Sequence, residues 1–170
     1  MEKRRGRGSL PPGVKIEFAS REQIGELGHV AAAFMFRIFG WKPGDYAISD
    51  ESRLSDFVPV DTPIDPLIQR IMDTYQIGMV PANLVLLFRE LEKQLEEAKQ
   101  KYPPMWTIYD HPKDHPQHIV VRVFYGEVQE FTVAVYDTLD EARRAVHEAG
   151  GTFNLMRHDT DDPAIIETWI

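Results

Sequence analysis

Cysteine is missing from all 170 residues. Its absence excludes disulfides, thiolate metal sites and a cysteine nucleophile. It agrees with a reducing compartment, so a cytoplasmic location is expected. Long apolar runs are missing too. The best candidate, Val30–Phe39, is broken by Arg37 and falls well short of the roughly 20 residues a membrane span needs. No membrane contact is therefore expected. The basic start, Lys3-Arg4-Arg5-Gly6-Arg7, runs into Pro11-Pro12-Gly13 and not into an apolar stretch, unlike a secretory signal. Familiar catalytic signatures are also lacking. There is no Gly-x-Ser-x-Gly, no phosphate-cradling glycine loop and no His-Glu-x-x-His. The serines (Ser9, Ser20, Ser49, Ser52, Ser55) read as helix caps or tail residues. The chain shows no internal repeat. No catalytic residue and no cofactor are assigned, and the balance is against an enzyme.

Positive charge is in short supply. Nineteen Lys and Arg face 27 Asp and Glu, for a net −8. Residues 1–20 hold five basic and two acidic side chains, which leaves −11 on the remainder. An acidic body repels phosphate backbones, so nucleic-acid binding is not expected outside the Arg/Gly leader at 1–13. That leader reads as a disordered, solubilising segment or an expression remnant.

What is present suffices for a core. Apolar residues make up 43 % of the chain, and a chain of this length buries roughly two thirds of its unfolded surface without staples. Val14, Ile16 and Phe18 alternate with Lys15 and Glu17 as a short strand. Ser20 and Gln23 have capping-box spacing. Ile24, Leu27, Ala31, Phe34, Met35 and Ile38 then give one helix an apolar face that Gly40 ends. Ser49 caps a short helix with Asp50 and Glu51 in its first turn. Those carboxylates and Asp56 are also acid/base candidates, but capping already explains the first two. Asp65-Pro66 opens another helix. Pro81 starts the longest, running to about Tyr102 with a stripe of Leu84, Leu87, Phe88, Leu91, Leu95 and Ala98 and a mixed, solvated outer face.

Pro103-Pro104 stops that helix, and the apolar period switches to two. Trp106 and Ile108 mark a first strand. Ile119, Val121 and Val123 mark a second, and Phe131, Val133 and Val135 a third beyond a turn at Tyr125-Gly126-Glu127. Thr138 and Glu141 box the start of a helix. Phe153 and Leu155, then Ile165–Ile170, complete the pattern. The expected class is α+β. A helical part, 14–103, precedes a small, mainly antiparallel β-β-β-α-β-β sheet domain, 104–170.

Met105–Arg122 holds the densest cluster of histidine and aspartate. His111, His115 and His118, with Asp110 or Asp114, are candidate zinc ligands. Pro112 and Pro116 forbid a helix there, so spacing does not put the rings on one face. The alternative is a proline-stiffened turn in which Asp110 and Asp114 accept nearby backbone N–H groups. Arg122, Arg157, His158, Asp159, Asp161 and Asp162 form a second polar concentration. Asp110 is expected to pair with Arg122, and Arg157 with the tail aspartates, as surface ion pairs or as a recognition surface.

Trp106 to Asp114 reads Trp-x-Ile-Tyr-Asp-His-Pro-x-Asp. With Arg122, Thr138-Leu139-Asp140-Glu141 and the closing Asp161 to Trp169, it resembles a group of small, functionally uncharacterised bacterial proteins. Ser49–Phe57 and Asn83–Phe88 are more loosely similar to a second such bacterial group with a Ser-Asp-Glu-Ser-x-Leu-x-Asp-Phe motif. Neither likeness implies a known reaction, and His115 and His118 depart from the first group's pattern. Size, acidity and the lack of a catalytic motif point to a bacterial factor that binds a protein partner, such as an immunity, antitoxin-like or regulatory protein. Its binding residues are expected among Asp110, His111, Asp114, Arg122, Arg157, Asp161 and Asp162. The competing expectation is a small metal-dependent hydrolase that uses the histidines and carboxylates of residues 110–118.

Overall fold

The structure, a computed structural model, describes residues 19–170. The basic leader and the alternating 14–18 segment lie outside the described residues. The helical part contains α1 (Glu22–Glu26), α2 (Gly28–Phe39), a 3-10 turn at Leu54–Phe57, α3 (Asp65–Tyr75) and α4 (Leu84–Lys101). The second part contains β1 (Pro104–Asp110), β2 (Ile119–Tyr125), β3 (Val128–Gln129), β4 (Ala134–Tyr136), α5 (Leu139–Glu148), β5 (Asn154–Leu155) and β6 (Ile165–Trp169). The α+β class holds, and every strand pairing is antiparallel. Among the described residues no helix is long and apolar enough to cross a membrane.

The first helix differs from its reading as one rod. It breaks at Leu27, where the backbone departs from helical geometry between α1 and α2. Its cap is not the Ser20–Gln23 box. Asp50, about 30 residues on, accepts from Ile24 N at 2.8 Å and from the Ser20 hydroxyl at 2.6 Å. Hydrogen bonding from Ser20 and the helix amides holds the Asp50 carboxyl below its ordinary range. Asp50 is thus a remote cap and not part of a helix opened by Ser49. Gly40, at φ 74°, ends α2 as expected. The long helix begins later than Pro81: Asn83 is its cap, accepting from Leu86 N at 3.1 Å.

Val30, Phe34, Met35, Ile38, Leu84, Leu87, Phe88 and Leu91 form the buried centre of the helical part. The sheet joins this core through Phe131, 7 % exposed, with its ring against that of His29. The cost is a broken third strand. Residues 128–129 pair with the end of β2 and residues 134–136 with its start; Glu130 N still donates to Val123 O at 2.8 Å, and Phe131–Val133 bow away between them. Glu130 anchors the bow. Its carbonyl accepts from Arg37 Nη2 at 2.7 Å, and its carboxylate meets Lys99 Nζ at 3.0 Å. The expected continuous strand with Phe131, Val133 and Val135 on one face is therefore replaced by two fragments.

The sheet order is β3-β2-β1-β6-β5, with β4 also on β2. Trp106, Ile108, Ile119, Val121, Ile166 and Trp169 face α5, packing against Ala142, Val146 and Leu139. The Thr138–Glu141 box caps α5, and Arg143 of α5 grips Glu167 of β6. The opposite face carries Thr107, Tyr109, Arg122, Phe124, Ile165 and Thr168. α4 packs against its β2–β3 end, and along the rest, the open face, Thr107 and Tyr109 are buried at the floor of two hollows.

Candidate functional site

Strand parity decides which polar residues meet on the open face. In the β1–β2 register Thr107 lies opposite Arg122, and Asp110 opposite Ile119. Arg122 therefore shares a face with Thr107 and Tyr109, whereas Asp110 projects to the α5 side. The expected Asp110–Arg122 pair does not form. Arg122 Nη2 donates instead to both oxygens of Asp114, at 2.8 and 2.6 Å. Its guanidinium also stacks over the Tyr109 ring, 4.6 Å from the centroid. Burial pushes the Tyr109 phenol up, only partly offset by the Arg122 charge.

Asp114 reaches Arg122 because the loop after β1 is closed by its own backbone. His111 adopts a left-handed φ of 46°. Its N–H donates to His118 O at 3.1 Å, His115 N donates to Pro112 O at 2.8 Å, and His118 N donates to His115 O at 3.2 Å. Carbonyls, and not the aspartate side chains, satisfy these amides. Asp110 lies against its neighbour His111, and Asp114 is committed to Arg122.

The same closure separates the three imidazoles. His111 contacts Asp110, His115 packs 5.9 Å from the Phe36 ring, and His118 faces Asp137 at 3.6 Å. Among the described residues no group of three or more His, Asp or Glu side chains converges closely enough to hold a metal ion. The tail aspartates act as turn formers. Asp161 accepts from His158 N at 2.8 Å and Asp162 from Ala164 N at 2.9 Å. Arg157 is exposed and has no ion-pair partner among the described residues, so its expected pairing with them is absent.

Two hollows line this face. One, about 480 Å³, brings together His111, Asp114, Arg122 and Asp162 with Tyr109 and Pro163. The other, about 340 Å³, is floored by Thr107, Tyr109, Phe124, Ile165 and Thr168, with Leu155, Met156 and Asp161 at its side. They adjoin at Tyr109, which lines both, and together make up a groove from the ion pair towards the β5 side of the sheet. Met156 is 95 % exposed there, and nearby Phe153 is 62 % exposed. Of the candidate binding residues, His111, Asp114, Arg122, Asp161 and Asp162 line the groove, while Asp110 and Arg157 do not. Tyr109, Phe124 and Met156 escaped the sequence reading. Period two, counted from Arg122 across the register, is the signal that selects Tyr109.

No protein-family model, no curated protein and no solved structure matches the chain.

Proposed function

We propose that this protein is a non-catalytic binding factor of the immunity, antitoxin-like or regulatory kind. It holds a protein partner in the open-face groove between the Asp114–Arg122 pair and Met156. The observation that carries this reading is the composition of the groove: an apolar floor, a stacked Arg–Tyr pair at one end and a methionine standing in water at the other. Arg, Tyr and Met are the side chains enriched at protein interfaces, and an apolar rim left in solvent is characteristic of a contact surface. The partner segment is basic, with one apolar anchor. The chain's net −8 steers such a segment inward, and Asp161 and Asp162 flank the floor that receives the anchor.

The test is affinity capture from the native host, comparing the unaltered chain with Met156→Asp and Phe153→Asp. Expected is one basic protein, retained at low salt, weakened as salt rises and lost with Met156→Asp. A partner that both variants keep, or a chain that stays monomeric and partnerless at low salt, sinks the proposal.

A further inference from the structure

A second cleft, which shares only Phe124 with the open-face groove, lies at the seam where α2, α3 and α4 meet the β2–β3 hairpin. Its volume is about 140 Å³. Two of its polar groups are poorly served. Tyr75 is 8 % exposed, its ring stacks on Phe34, and its hydroxyl lies beside the Arg37 guanidinium but finds no acceptor for its proton among the described residues. Arg37, half-buried, sits with its guanidinium 5.8 Å from the Tyr75 ring centre. It donates to the neutral Glu130 carbonyl and has no carboxylate within ion-pair distance among the described residues. A half-buried cation without a counterion and a buried hydroxyl without an acceptor both represent unrecovered desolvation. Both line the same cleft, where a single ligand oxyanion would serve both.

Protonation states agree. Burial pushes the Tyr75 phenol up to about 12, against the charge and the hydrogen bonding of Arg37, so it keeps its proton and remains a donor at neutral pH. Burial, and more weakly the nearby Arg122 charge, depresses the Arg37 value against the opposing pull of Tyr75 and Asp114. Leu91, Phe124 and Phe131 are apolar parts of the lining, beside the polar Thr74, Gln94 and Gln129. Glu127, exposed on the β2–β3 turn, also borders the cleft and disfavours a ligand of more than one negative charge.

We propose that this cleft binds a small carboxylate with a short apolar tail, its headgroup held by Arg37 and the Tyr75 hydroxyl and its tail against Leu91, Phe124 and Phe131. The ligand would tie the helical part to the sheet, since its contacts come from both.

Sodium butyrate titrated into the full chain at constant ionic strength tests this, with inorganic phosphate as the comparison. Expected is saturable butyrate binding and a butyrate-dependent rise in Tm, with phosphate weaker. Tyr75→Phe is the diagnostic variant. It deletes a hydroxyl that lacks an acceptor, so the unliganded chain should melt at the same temperature or higher, while butyrate binding weakens about tenfold, the loss of one charge-assisted hydrogen bond. Arg37→Lys keeps the charge, loses the guanidinium fork and should weaken binding further. No saturable butyrate binding, phosphate binding as tightly as butyrate, or Tyr75→Phe binding as tightly as the unaltered chain would each overturn the proposal.

Discussion

Asp114→Asn should destabilise this protein more than Arg122→Met, although the two changes break the same ion pair. The asymmetry follows from where each partner sits. The Arg122 side chain is 19 % exposed and that of Asp114 is 35 % exposed. Asp114→Asn leaves a mostly buried guanidinium facing a neutral amide. Its expected cost is about 1–2 kcal/mol, above the range of exposed pairs but below that of fully buried ones because water still reaches the site. Arg122→Met instead leaves a carboxylate that can hydrate. It also removes a buried Nε–H that has no partner, and it places a thioether over the Tyr109 ring. Its expected cost is about 0–1 kcal/mol, the loss of cation–π attraction being partly replaced. The double variant should behave like Arg122→Met alone. Urea unfolding is the assay, because guanidinium would screen the pair. For a chain of this size the Asp114→Asn loss corresponds to a Tm drop of about 2–8 °C. If Arg122→Met proves the costlier change, the guanidinium is a structural strut, and the reasoning from unequal burial is wrong.

Phe131→Ala should cost about 3–5 kcal/mol, because it empties the point where the sheet enters the helical core. A loss of the size seen at a surface site in urea unfolding would refute that placement. Asp50→Asn should reshape the acid limb of the stability profile. The Asp50 carboxyl titrates lower in the folded chain, so its contribution is complete above the unfolded value of about 3.9 and is lost as pH falls through the folded value. The stability gap between the two chains should therefore close on acidification; a gap that widens would show that the carboxylate is not the cap. Gly151→Ala would put a methyl 2.6 Å from Val146 Cγ1 and 3.3 Å from Trp169 Cβ, with an expected cost of about 1–3 kcal/mol. Adding Val146→Ala should relieve part of that cost, and a purely additive double-variant result would show that the clash is not what matters.

The legible parts of the fold were local. The Thr138–Glu141 box, the period-two runs of β1 and β2, the Gly40 stop and the apolar stripe of α4 depend on residues a few positions apart, and each stands where the pattern placed it. The larger misreadings involve distant partners, whereas the start of α4 at Asn83 and not Pro81 is a local one. Ser20 and Gln23 have the spacing of a box, but Asp50 outcompetes it with an ionised acceptor. Phe131 has the right parity for a strand, but the helical core buries it more completely than a strand face would. Asp110 and Arg122 look complementary as charges, and only the register shows that they sit on opposite faces. The groove was half legible for the same reason: His111, Asp114, Arg122, Asp161 and Asp162 were marked by their chemistry, whereas Tyr109 and Met156 carried no signal until topology placed them. Arg37 announced itself as the one charge interrupting an apolar helix, and its lack of a counterion emerged only in three dimensions.

The bow at Phe131–Val133 has a bearing on self-association. A sheet in solution presents unpaired N–H and C=O groups along its outermost strands, a template for stacking with another copy. Here one flank is cut into fragments of two and three residues by the bow, and the other ends in the two-residue β5. Neither flank offers a ladder long enough to recruit a neighbour. The bow that plugs Phe131 into the helices keeps this flank in two short fragments, and continuous pairing of residues 128–136 would require β4 to slide two residues along β2.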